Sequence, residues 1–425
     1  MFYDFLKTQM QISHQTIDFV SKIETEIAPL YAQADDIAAI NQLRVLCAMQ
    51  ECRLSDTHFN DSTGYGYNDE GRDTLEAIYA KVFKTEAALV RVQMVSGTHA
   101  LATALFGNLR PGDTLLSPVG KPYDTLESVI GIRRAPGSLA EYGVTYRQVD
   151  LLENGAFNYE GIRAALACKP KMVTIQRSKG YAWRPSFTVE QVRELIACIR
   201  IASPHTIILV DNCYGEFVQP EEPSEADLIV GSLIKNPGGG LAPGGGYVAG
   251  KQKFVEAAAT RLTAPGIGSA VGPTLGMTRS LLQGLFLAPQ AVSSSVKGAI
   301  LASALFSRLG FAANPSETDT RSDIVQAIEL KTPENVLAFC AAIQKAAPVD
   351  GYVTPVPAPM PGYGHDVVMA GGTFIQGSSI ELSADAPMRP PYIVYFQGGL
   401  TSAHSKTGVI YALDALYKKG FITIP

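Results

Sequence analysis

Two ionisable residues each close an apolar run: Asp211 follows TIILV (206–210), and Lys235 follows DLIVGSLI (227–234). Ligands of an open parallel sheet sit beyond the carboxyl ends of its strands, so both residues would stand where a ligand binds. They lie 24 residues apart, room for a strand end, a crossover and the next strand. One cofactor matches the pair. An amine can form an imine with the aldehyde of pyridoxal 5′-phosphate (PLP), and a carboxylate can keep its pyridine nitrogen protonated, making the ring an electron sink. A buried Asp–Lys ion pair or a solvated strand end would use the same two residues.

A third element favours the cofactor. Ser96, Gly97 and Thr98 follow the apolar run 87–95 and open a helical run, Ala100–Phe106. A small, glycine-containing turn at a helix N-terminus offers N–H groups and the positive dipole end to a phosphate, although Ser-Gly-Thr is also an ordinary helix cap. Ser232, three residues before Lys235, adds a hydroxyl. Tyr123, in GKPYDTLES (120–128), stands at a turn before a helix and offers a ring to stack on the pyridine face, or simply packs at that helix start. The run GGGLAPGGG (238–246) after Lys235 permits close backbone approach to a ligand or serves as a flexible surface loop. Pro122 after Gly120-Lys121 rules out a P-loop, and Gly64–Gly71 lacks dinucleotide-binding spacing.

The elements that would hold these residues alternate. Strands are expected at 87–95, 113–118, 143–151, 171–178, 206–211 and 226–234, with a helix over 188–202 among the intervening stretches. Apolar strands alternating with helices imply an α/β fold with a mainly parallel sheet covered on both faces. Residues 1–55 read as an amphipathic helical arm and 56–290 as the PLP-binding large domain, with 55–72 a polar loop; 291–425 read as a smaller α+β domain, with a helix over 291–309 and further elements at SDIVQAIEL, FIQGSSIEL and PYIVYFQG.

Composition narrows the class. The chain has 425 residues, 46% hydrophobic and 18% charged, with a formal net charge of −5 and no long basic run. That balance fits a globular protein and argues against a nucleic-acid partner. No apolar run reaches the length of a membrane span, Leu281–Ala288 being the nearest, and no signal-peptide pattern opens the chain. The six scattered cysteines have no CxxC spacing, as expected of reduced, mostly packing cysteines in a cytoplasmic protein, and the histidines form no metal-ligand array.

The order SGTHA, PYDTL, VDNCY, GSLIKN resembles the cystathionine and methionine lyase group of PLP enzymes, with the aspartate-aminotransferase fold. The segments NQLRVLCAMQE, TGYGYNDEGRDTLEAIYAKVF, QRSKGY, SLIKNPGGGLAPGGGYVAG and GTFIQGSSIELSADAPMRPPYIVYFQGGL resemble its methionine γ-lyase-like, aluminium-resistance branch across nearly the whole chain. The resemblance implies that Lys235 carries the cofactor and Asp211 pairs with its ring nitrogen. Tyr123 stacks on the ring, and Ser96, Gly97, Thr98 and Ser232 line its phosphate. Tyr67 falls where the better-known lyases place a Tyr donated by the neighbouring subunit, which implies a homodimer or homotetramer. Those lyases carry an Arg two residues later, where this chain has Asp69, with Arg72 nearby as a substitute, and a hydroxyl residue where it has Ile234. Arg389, between SADAPM and two prolines, is the candidate for the substrate α-carboxylate, with a surface ion pair as its alternative.

The expected activity is elimination of a β or γ substituent through sulfur from an amino acid, giving a keto acid and ammonia. Another PLP reaction such as transamination or racemisation shares its first steps, and a PLP-containing binding protein without turnover would share the cofactor.

Overall fold

The computed structural model describes residues 1–425. Seven strands form the larger sheet: β1 (Ala87–Arg91), β2 (Thr114–Ser117), β3 (Thr145–Gln148), β4 (Met172–Gln176), β5 (Ile207–Asp211), β6 (Leu228–Ser232) and β7 (Gly246–Gly250). Their order is β1-β7-β6-β5-β4-β2-β3. The run from β6 through β5, β4 and β2 to β3 is parallel, and β7 pairs antiparallel with both β6 and β1. Every residue of β5, β6 and β7 is buried, which is why 206–211 and 226–234 read as apolar runs, whereas β7, a glycine-bounded strand, is not among the expected ones.

Successive strand residues feed two different cores. Val173, Ile208, Val210 and Ile229 join a cluster of 75 buried residues on one face, while Met172, Leu209, Leu228 and Val230 join one of 21 on the other. This is the period-two alternation of a sheet covered on both sides. On the smaller core lie α4 (Gly97–Asn108) and α8 (Gln252–Leu262), which pack on each other. The larger core takes α2 (His14–Glu51), α3 (Glu70–Val82), α7 (Val189–Ala202) and α9 (Thr278–Arg308). The shorter helices α1 (Phe2–Gln9), α5 (Asp124–Ile130) and α6 (Tyr159–Leu166) fill the connections.

A second, antiparallel sheet is built from β8 (Ala313–Asn314), β9 (Gln326–Glu329), β10 (Val367–Ala370), β11 (Ser383–Pro387) and β12 (Ile393–Gln397), in the order β10-β11-β12-β9-β8. Helices α10 (Pro333–Ala346) and α11 (Ser402–Lys418) pack on each other, and α10 covers β10 and β11.

Two segments differ from the sequence expectation, and a third, the N-terminal arm, finds its partner within the chain. The helix expected at 291–309 begins at Thr278, runs for 31 residues and passes through Pro289, so residue 290 lies inside it. This helix has the length and apolarity of a membrane span, although most of it is buried inside the fold. FIQGSSIEL is irregular, because the Glu381 carboxylate accepts the Phe374 and Ile375 N–H groups and folds the segment back; the strand begins at Ser383. The apolar face of α2 (Val20, Ile23, Ile27, Val45) is covered within the chain, chiefly by α9, so the arm does not itself require a second subunit. Ile40, Leu43 and Leu46 remain exposed.

Asp227 joins several of these elements. Its carboxylate accepts the Ile208 N–H at 2.8 Å and pairs with Arg200 of α7 and with Lys251, which precedes α8. Burial pushes its carboxyl up, but Lys251, Arg200 and the Ile208 N–H outweigh that and hold it below the usual carboxylate range. A group with a depressed folded-state pKa stabilises the fold above its unfolded value and loses that contribution as pH falls through the folded one. Asp227→Asn is therefore expected to destabilise the protein by about 3 kcal/mol at neutral pH. Denaturant melts should show the gap between the two proteins closing as pH falls below the ordinary carboxylate range.

Candidate active site

The carboxyl ends of β4, β5 and β6 carry Gln176, Asp211 and Ser232, and all three line one cavity of about 520 Å³ between the two sheets. Lys235 enters it from the turn after β6. Asn236 anchors that turn, donating through Nδ2 to the Tyr214 and Glu216 carbonyls, each at 2.9 Å. Lys235 Nζ lies 3.9 Å from the Tyr214 ring centroid. Burial alone would depress the Lys235 ammonium, but Cys213, Tyr214, Asp211 and Glu216 around it hold it above its usual value.

Asp211 Oδ1 accepts the Cys213 N–H at 3.1 Å, and Oδ2 has no donor within the protein. Burial raises this carboxyl above its ordinary range, and Lys235 works against that shift. The segment after Asp211 is held by Arg177, which is fully buried. Its Nη1 donates to Asn212 Oδ1 at 2.8 Å and to the Gly215 carbonyl at 2.9 Å; its Nη2 donates to Gln219 Oε1 at 2.8 Å. A Cβ on Gly215 would stand 2.6 Å from Arg177 Nη1, so this close approach requires glycine. Tyr214 and Phe217 adopt left-handed φ values of 70° and 63°, a conformation persisting only where the surroundings enforce it.

Opposite stands the start of α4. Ser96 Oγ caps the His99 N–H at 3.1 Å, which leaves the Gly97 and Thr98 N–H groups without a protein acceptor. A Cβ on Gly97 would come within 3.1 Å of Ser232 Cβ. Thr98 Oγ1 lies 2.7 Å from Thr125 Oγ1. Tyr123 caps α5, and its hydroxyl meets that of Tyr363 at 2.6 Å. Tyr181 packs edge-on to Tyr123 with ring centroids 5.6 Å apart.

Ser96, Gly97, Thr98, Tyr123, Asp211, Ser232 and Lys235 thus line a single cavity, and Ile234 lines it with them. Two other candidates lie elsewhere. Tyr67 is 62% exposed, tilted against Tyr65 with centroids 5.5 Å apart. Arg389 is exposed beyond the end of β11, where its charge reaches Asp124 and Tyr395 and not the cavity. Arg72 and Asp69 are occupied. The guanidinium of Arg72 holds the Gly66 and Gly272 carbonyls, while Asp69 caps α3 and accepts from Ser62 and Thr274. All six cysteines are free, and Cys213 lies in the cavity wall.

Sequence reasoning passed over Tyr181, Tyr214, Tyr363 and Asp385, which also line the cavity. Tyr181 and Tyr214 stand within motifs already singled out, QRSKGY and VDNCY. Asp385 had a weak signal, a lone charge in the small-residue strand SADAP.

These residues fit PLP. An amine that can take an aldehyde, a carboxylate oxygen without a protein donor, unpaired N–H groups at a helix start and a tyrosine ring surround a volume suited to a small cofactor with its substrate. Fold and cavity together define an enzyme that binds pyridoxal 5′-phosphate. The methionine gamma-lyase family profile matches residues 16–417, and the chain belongs to that family and is a lyase. YnbB, an uncharacterized protein of Bacillus subtilis (strain 168), is 51% identical over 405 residues, covering 94% of this chain and 96% of the relative. Two solved structures match nearly end to end. One, from Listeria monocytogenes, is described as a candidate cystathionine beta-lyase involved in aluminum resistance; it is 52% identical with a TM-score of 0.91, covering 93% of this chain and 98% of that one. The other, described as a carbon-sulfur lyase involved in aluminum resistance from Clostridium novyi NT, is 48% identical with a TM-score of 0.92, covering 97% and 98%.

Gly180 offers a test of the Tyr123 position. Its φ is +57°, and a Cβ there would stand 2.8 Å from Tyr123 Cδ2. Gly137 has a similar φ of +76° with nothing within 4 Å. Both Ala variants carry backbone strain of about 1 kcal/mol, and only Gly180→Ala displaces the ring. Titrating the apoprotein with PLP is expected to show weaker binding for Gly180→Ala and parental binding for Gly137→Ala.

Proposed function

We propose that the chain is a carbon–sulfur lyase that eliminates a β or γ sulfur substituent from an amino acid as a thiol, with water converting the remaining unsaturated amine to a keto acid and ammonia. The observation that carries this reading is the convergence of Lys235 and Asp211 in one cavity with the start of α4. Bound there, PLP supplies an electron sink for negative charge at the substrate Cα.

The chain's own residues do the rest. Asp211 would hold positive charge at the ring nitrogen, and the Cys213 N–H on Oδ1 orients its carboxylate. The Gly97 and Thr98 N–H groups, with the Ser96 and Ser232 hydroxyls, hold the phosphate. Tyr123 orients the ring by stacking, its hydroxyl tied to Tyr363. Lys235 would hold the cofactor through its amine and, with that amine free, would act as the base that accepts the Cα proton. Surroundings that favour its ammonium form make the neutral amine a strong proton acceptor. Tyr363 and Met360 line the small-domain side of the cavity, where they would shield the reacting carbon from water.

A panel of S-substituted amino acids tests this assignment. Keto acid and ammonia should appear in equal amounts from at least one member, and Lys235→Ala should release neither. Borohydride should fix the cofactor to the peptide bearing Lys235 in the parent alone; a label on another lysine would refute the assignment.

The active unit we propose is a homodimer or a homotetramer of such dimers, each site completed by Tyr67 from a neighbour. Support comes from two exposed rings, Tyr65 and Tyr67, on a loop that is nonetheless pinned: Arg72 Nη1 donates to the Gly66 carbonyl at 2.7 Å, and the Gly272 N–H donates to the Tyr65 carbonyl at 3.0 Å. A loop held rigid yet pointing its aromatics outward is preorganised for another surface. Mixing inactive Lys235→Ala chains with inactive Tyr67→Phe chains under subunit exchange should restore activity, because some hybrid dimers then hold one site with neither defect. Proven exchange without recovery would overturn the shared site.

A further inference from the structure

Asp385 is the one charged group in the cavity that the mechanism leaves without a role. Among the lining residues, the only other Asp, Glu, Lys or Arg side chains are Asp211 and Lys235, both assigned to the cofactor in the proposed function. Asp385 stands on the opposite wall, on β11, between Met369 of β10 and Tyr395 of β12. One of its oxygens, Oδ2, accepts from Gln397 Nε2 at 3.1 Å, and Tyr181 also favours the charged carboxylate.

The surroundings of this carboxylate are aromatic. Tyr181 packs against Tyr395 with centroids 5.1 Å apart and against Tyr363 with centroids 5.6 Å apart. Met360 and Met369 complete the same wall. Polarisable methionine and aromatic surfaces suit a thioether stem, and a carboxylate among tyrosine rings suits an ammonium group, which gains both the charge-assisted hydrogen bond and the ring faces. A second carboxylate on the substrate would meet no cation here. Burial raises the Asp385 carboxyl to about 6, with Tyr181 and Gln397 favouring its ionised form, so it is an anion at neutral pH.

Resting on the lyase reading above, we propose that Asp385, walled by Tyr181 and Tyr363, is a specificity-determining residue that selects amino acids whose sulfur-borne portion ends in a protonated amine.

S-(2-aminoethyl)-L-cysteine and S-propyl-L-cysteine differ only in a terminal ammonium against a methyl group. Titrated into the PLP-loaded enzyme above neutral pH, each yields a dissociation constant from the cofactor absorbance change, whether or not it turns over. The amine is expected to bind about tenfold tighter or more. Asp385→Asn should abolish that ratio while binding the propyl compound as the parent does. Equal affinities in the parent enzyme overturn the proposal without recourse to any variant, as does a ratio that survives in Asp385→Asn. Keto-acid release, followed in parallel, separates the two readings. A binding preference without product from either compound counts against the lyase assignment alone, and equal binding with product from both counts against the Asp385 assignment alone.

Discussion

The site depends on one buried guanidinium. Arg177 follows β4, its backbone N–H extends the ladder to the Asp211 carbonyl, and its side chain reaches Asn212, Gly215, Gln219 and, at 3.7 Å, the Glu222 carboxylate. Glu222 in turn accepts from Asn212 Nδ2 and from the Phe217 N–H. A guanidinium with no access to water is tolerated only when its charge is matched and its donors are used, and removing one partner of such a network costs about 3–5 kcal/mol. Here the network fixes the strained segment 212–217, which sets Asp211 at the cavity floor. Its carbonyls then hold Asn236, and with it the lysine turn. The spacing between carboxylate and amine is thus inherited from a cation that never touches the cavity.

The two walls of the cavity were unequally legible in the sequence. Asp211, Ser232 and Lys235 could be found because a buried parallel strand is an apolar run, and its end is marked by the first polar residue. Ser96 to Thr98 and Tyr123 carried helix-start signals, and the structure brings them to the same place. The opposite wall had no such marks. Tyr363 lies in a proline- and glycine-rich stretch without periodicity, and its position depends on how the small sheet seats against the large one. Asp385 and Arg389 are neighbours in one motif, yet the strand carries the first inward and ends before the second. Residue type favoured the arginine; the pleat favoured the aspartate. Arg72 also matched a ligand role by type, although its donors are used by a loop.

The division between walls has a chemical counterpart. On the proposed reading, residues of the large sheet and α4 would hold the cofactor, and those from the small sheet would face whatever is joined to it. Substitutions on β11 or in the stretch around Tyr363 would therefore alter substrate choice while leaving the electron sink unchanged. Such separation lets one scaffold serve several eliminations, and it explains why the family's cofactor is easier to read from the chain than its substrate.

Helix α9 works against that independence. Its 31 residues contribute Leu281 through Phe306 to one continuous core of 75 residues, which also takes Ile208 and Val210 from the large sheet and Ile328 and Phe396 from the small one. Neither half owns a complete interior without this shared rod, so the two are coupled in folding cooperativity as well as in geometry. Local opening of the small half would uncover apolar surface belonging to the large half. The energetic penalty for breathing at the cavity mouth is accordingly spread over the whole molecule.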